Sequence, residues 1–158
     1  CKRNFQQTFP QIDSEYIKSG KVKYVFRAFP LENIHPLAFK ASEAALCGGE
    51  QGKYWEMHDK LFTNQNALAT DNLMTYAKSV GLEDGKFKEC LESGKYAAKV
   101  RANQAEGRKA GVSGTPGFFL GLTQPNGSTI KAVKFINGAQ PYASFKDAID
   151  TLLMVAAK

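Results

Sequence analysis

Cysteine, histidine and tryptophan are scarce in this chain: three, two and one among 158 residues. The two histidines, His35 and His58, form no zinc-like spacing with each other or with the cysteines, so no metal site is expected. Long apolar runs are lacking too. No stretch approaches the roughly 20 residues that a membrane-spanning helix needs. No leader-like segment opens the chain, and it starts at Cys1 and not at a methionine, as a mature or trimmed product would. The net charge is +6, but the basic residues are scattered and make no stripe or aromatic-basic platform, which argues against nucleic-acid binding. Internal repeats, low-complexity tracts and obvious linkers are missing as well. A hydrophobic fraction of 43% suits a globular chain large enough to bury a core.

What is present is a particular order of periodicities. Phe5, Phe9, Ile12 and Tyr16 repeat at helical spacing, so a helix is expected from the start to about Gly20, kinked at Pro10. Lys21 to Phe29 alternates at period two with apolar groups on both faces, as an interior strand does. Five helical segments follow: one around Leu37–Ala45 ended by Gly48-Gly49, one carrying Tyr54, Trp55, His58, Leu61 and Phe62, one capped by Thr70, one marked by Phe87, Cys90 and Leu91, and one from Tyr96 to Lys109. Period two then returns in 117–122 and 130–136, joined by Gln124-Pro125-Asn126-Gly127, which reads as a hairpin. A last helix opens at Pro141, with Phe145, Ala148, Ile149, Leu152 and Leu153 inward.

The punctuation of the second half is informative. Pro116 opens the apolar segment 117–120, although proline cannot donate to a sheet ladder. The placement is understandable if Thr115–Pro116 is a cis bond, which would leave the Thr115 backbone free to pair outside the sheet. The odd cysteine count leaves one thiol over. Cys47 and Cys90 lie in helical segments able to pack together, with Cys1 the remaining one; three reduced thiols are the other reading. His58 shares a helical face with Trp55 and Phe62, as a packed core histidine does. Glu50, Glu56 and Asp59 lie beside lysines and read as surface.

Several segments together resemble the DsbA-type thiol:disulfide oxidoreductases of the bacterial cell envelope, within the thioredoxin superfamily. They are Cys1-Lys2-Arg3 with the aromatic helix after it, Phe26 to Leu31, Glu50 to Asp59, Val112 to Phe119, and Gly138 to Tyr142. The resemblance implies an α/β thioredoxin-like fold, discontinuous over residues 1–33 and 112–158, with an all-helical insertion at 34–111. Family members carry a Cys-x-x-Cys pair at the start of such a helix. Cys1 matches its second member, so the first cysteine and the first strand are expected to lie outside this chain, and the chain alone is expected to be inactive.

The resemblance further implies catalysis by Cys1, substrate binding at Thr115 and Pro116, and a structural Cys47–Cys90 disulfide like the second bridge of some members. It implies no cofactor. The implied partners are reduced or unfolded secreted proteins, with a membrane quinone-linked thiol oxidase, DsbB- or VKOR-like, for reoxidation. The implied location is the periplasm or another extracytoplasmic space. Two other functions remain open: a redox-inactive thioredoxin-fold peptide-binding or chaperone-like module, and a glutathione-transferase-like relative.

Overall fold

A computed structural model describes residues 1–125, 127 and 129–156. They form two compact units, one of Cys1–Phe26 with Val112 onward, the other of Arg27–Gly111. The first unit holds helix α1 (4–17), the antiparallel strands β1 (Gly117–Thr123) and β2 (Ile130–Asn137), and helix α7 (Tyr142–Ala156). The second holds α2 (Ala38–Glu50), α3 (Tyr54–Thr63), α4 (Thr70–Ser79), α5 (Asp84–Glu92) and α6 (Ala97–Lys109). This is a thioredoxin-like α/β arrangement with a helical block between its halves.

In α1 the buried positions are Asn4, Thr8, Ile12 and Tyr16, not the expected face that began with Phe5 and Phe9. Steps of four overshoot a 3.6-residue turn by about 40° each. The helix absorbs this by alternating winding: a π stretch over Asn4–Thr8, an α stretch over Phe9–Ile12 and a second π stretch over Asp13–Ile17. Pro10, expected to kink the helix, sits in the first turn of the α stretch, where its missing N–H costs little. Ile12 and Tyr16 then pack with Ile136, Phe145 and Ile149, joined by Phe118 and Leu120 from β1. The Phe118 and Phe145 rings meet edge to face at 4.8 Å. Tyr16 is fixed further: its hydroxyl donates to Asp150 Oδ1 at 2.6 Å and accepts from Lys146 Nζ at 3.1 Å.

The expected strand over Lys21–Phe29 is not one. The segment keeps its alternation of exposure through Ala28, but among the described residues the sheet contains β1 and β2 alone. Period two gives the side chains their faces; a strand also needs a neighbour to supply the ladder. Tyr24 uses its inward side to stack on Phe9 at 4.8 Å, and burial pushes its phenol up to about 12.

The β1–β2 hairpin forms as expected, with Gly127 at φ +68° and its N–H bonded to the Gln124 carbonyl at 2.8 Å. Asn126 of the expected turn lies outside the described residues. The register slips at Leu120/Gly121, where Leu120 faces Lys134 and Gly121 faces Ala132, leaving Val133 as the extra residue of a bulge. A Cβ on Gly121 would stand 2.1 Å from the Lys131 carbonyl oxygen, so this close approach admits only glycine.

In the second unit, α2, α3, α4 and α5 share one core containing Ala44, Met57, Leu73, Phe87 and Leu91. Cys47 and Cys90 are bonded there, with Cα atoms 5.9 Å apart. The expected stop at Gly48-Gly49 does not occur, and α2 runs on to Glu50. Gly48 serves packing: a Cβ there would lie 3.0 Å from that of Met57. Ala69, not Thr70, takes the extended cap conformation before α4. The incoming segment is latched onto α6. Arg27 donates to Asn103 Oδ1, Gln104 Nε2 to the Pro30 carbonyl at 2.7 Å, and Phe29 occupies the space a side chain at Gly107 would need.

Candidate functional site

One end of the first unit gathers the expected site residues. Cys1 begins the opening helical turn: its carbonyl accepts from the Phe5 N–H at 3.0 Å, and its side chain is exposed and unbonded. The next turn of α1 is pinned to the loop after β2. The Arg3 guanidinium donates to the Ala139 carbonyl, and Thr8 Oγ1 to the Gln140 carbonyl at 3.2 Å. That loop is pinned in turn to the segment before β1. The Gly138 N–H donates to the Pro116 carbonyl at 2.8 Å, which continues the ladder one step past the Gly117–Asn137 pair. Gly138 sits at φ +79°, a left-handed conformation that glycine takes without steric cost. Gln140 closes the loop, its side-chain amide donating to the Asn137 carbonyl at 2.9 Å.

The Thr115–Pro116 bond is cis. Thr115 itself makes no backbone hydrogen bond among the described residues. The result is an exposed thiol at a helix start, tied through one short loop to an open stretch of backbone at Thr115. Arg3, Thr8 and Gln140 are the structural link, and sequence reasoning assigned them no role. The signal for Thr8 was its place in the four-residue spacing that Ile12 and Tyr16 continue; for the loop it was a glycine closing a strand at Gly138.

The remaining candidates stay in the helical unit. His58 is buried, with its ring 4.6 Å from that of Phe62 and 5.2 Å from that of Trp55. Its Nδ1 donates to Asp59 Oδ1 at 2.8 Å. Burial pushes its imidazole below the ordinary value, against the opposing pull of the Asp59 carboxylate. His35 is exposed. Glu50 pairs with Lys95 and accepts from the Tyr96 hydroxyl at 2.9 Å, and Glu56 pairs with Lys53 at 3.3 Å. These partners hold both carboxyls below the usual range; for Glu56 the leading contribution is a backbone hydrogen bond. They are surface ion pairs, as their neighbouring lysines suggested. Among the described residues no cluster of three or more metal-ligating side chains occurs, and no helix is long and apolar enough to cross a membrane.

A family model described as thioredoxin matches residues 1–151. Over 114 residues, 72% of its length, the chain is 36% identical to the Na(+)/H(+) antiporter NhaA 3 of Salinispora tropica, covering 18% of that protein. Over 107 residues it is 37% identical to the Na(+)/H(+) antiporter NhaA 1 of Salinispora arenicola, covering 16%. The chain thus spans less than a fifth of the length of these curated relatives. Among solved structures, alpha-DsbA1 of Wolbachia pipientis superimposes with a TM-score of 0.82 at 27% identity, over 99% of this chain and 81% of that one. Oxidised BdbD from Bacillus subtilis shares the fold, with a TM-score of 0.79 at 22% identity over 98% of this chain and 82% of that one.

Proposed function

The chain belongs to the thioredoxin family and is DsbA-like in structure, and we propose that it is a thiol:disulfide oxidoreductase of the cell envelope, acting on secreted proteins through a Cys-x-x-Cys pair whose second member is Cys1. The observation that carries the proposal is the joining of the exposed Cys1 thiol to the unbonded Thr115 backbone through the 138–140 loop. Thr115 offers an extended substrate a main-chain partner, and Pro116 keeps that backbone out of the sheet. Recognition of this kind reads backbone and little side chain, which suits an enzyme with many substrates.

The chemistry balances as two exchanges. A substrate thiolate attacks the sulfur of the first cysteine in the oxidised pair; an S–S bond forms between them and Cys1 leaves as thiolate. A second substrate thiolate then attacks its own neighbour in the mixed disulfide, and the first cysteine leaves. The substrate has lost two electrons and the pair has gained them. A membrane quinone-linked thiol oxidase, DsbB- or VKOR-like, takes them up again. Cys1 also resolves stalled complexes, attacking the first cysteine and releasing the substrate thiol.

That resolving role gives the test. In a chain that also carries the first cysteine, Cys1→Ala accumulates mixed disulfides with a disulfide-bonded protein substrate. The first cysteine's thiolate attacks the substrate disulfide, one substrate sulfur leaves as thiolate, and no Cys1 thiol remains to resolve the adduct. These adducts are visible on non-reducing gels, while the parent protein shows few. An equal level of adducts in both would remove Cys1 from the mechanism. A redox-inactive peptide-binding module is the second reading, favoured by Cys1 being the one free thiol of the 158 residues; adduct formation decides against it.

A further inference from the structure

β2 is exposed at every position but Ile136. An edge strand in a globular protein ordinarily shows water a polar row. This one shows Val133, 56% exposed at the bulge, Ile130 at 47%, and Phe135, whose ring lies 4.7 Å from that of the exposed Phe119 on β1. These four residues are most of the large exposed apolar side chains of the first unit, and they all sit on one hairpin. Lysines flank them: Lys131 and Lys134 stand on either side of the bulge, and Lys23 donates to the Gly127 carbonyl at the turn. Among the described residues none of these three lysines forms an ion pair, and the sequence contains no Asp or Glu from Gly107 to Lys146.

Apolar side chains ringed by uncompensated lysines match a surface that is anionic outside and apolar beneath. We propose that the β1–β2 hairpin is a docking surface for an anionic lipid bilayer. Val133, Ile130 and the Phe119–Phe135 pair enter the headgroup boundary, and Lys131, Lys134 and Lys23 lie against the lipid phosphates. A second copy of the chain is the poorer occupant, since it would bring the same lysines to the same place. Ile130 faces Thr123 at the turn end and the Phe119–Phe135 pair lies two residues from Gly117, so the docking face runs along the hairpin.

The test is co-sedimentation of the 158-residue chain with vesicles of phosphatidylcholine alone and of phosphatidylcholine with phosphatidylglycerol as the minor component. Binding is expected to the second kind, weakening as salt is raised. K131Q/K134Q should lower the partition coefficient by about fivefold per lysine removed. V133S, at an exposed bulge position, should weaken binding while leaving the thermal melt unchanged. The melt shows that each variant is folded. No binding to the anionic vesicles, equal binding to both vesicle types, or binding indifferent to both variants would overturn the proposal. So would a dimer that V133S dissociates, which would make a second copy the occupant, or binding to polyglutamate with none to vesicles, which would make it an acidic protein.

Discussion

His58 shows how one buried residue sets a pH response. Its helical face with Trp55 and Phe62 marked it as a packing residue, and the structure places it there with its Nδ1 proton on Asp59. Burial holds its folded-state value below the unfolded one. Below about pH 6.5 the unfolded chain binds a proton that the folded chain refuses. Its contribution is therefore complete above that pH and is lost as pH falls. Urea midpoints should decline from about pH 6.5 downward, before the carboxylates titrate, and this early part of the decline should be absent in His58→Gln. An unchanged profile in the variant would show that the response arises elsewhere.

At the scale of elements, residue pattern gave some features directly and others only in part. The helical block and the hairpin follow from periodicity, because an apolar stripe or an alternating face is a property of the segment itself. The 21–29 segment shows the limit: alternation is local, while ladder pairing depends on a neighbour that the segment does not contain. Gly48-Gly49 shows another, since the pair does not end the helix and Gly48 instead lets α2 approach α3 at Met57. The winding of α1 was hidden for a related reason. Its four-residue buried repeat includes the polar Asn4 and Thr8, and Thr8 finds its partner in the distant Gln140 carbonyl.

Cysteine placement in the helical block was legible, since helices bearing Cys47 and Cys90 had apolar faces to share. The bond links residues 43 apart, and a loop of that size stabilises by about 4 kcal/mol in the chain-entropy account. Thiol counting on the denatured, unreduced chain should find one thiol, that of Cys1. Reduction should lower the melting temperature of the helical unit. Three thiols would refute the bridge.

On the scale of the whole molecule, two ends of the sequence meet at one site. Residues from the first turn of α1, the 115–116 bond and the 138–140 loop come together only through tertiary hydrogen bonds. Family-like segments flagged each of these stretches separately. The parts that a single sequence left unassigned are the bonds that hold them in register, made by Arg3, Thr8 and Gln140, whose residue types are unremarkable in isolation.

The central claim is that Cys1 is one half of a redox pair and that chemistry needs the other half. The most direct measurement is the rate of disulfide formation in a reduced model protein. It compares the 158-residue chain with the same chain carrying a strand and a cysteine three residues before Cys1. Negligible turnover is predicted from the first and sustained turnover from the second, given an electron acceptor. Full turnover from the 158-residue chain would contradict the account, leaving Cys47 and Cys90 as the pair that carries the chemistry.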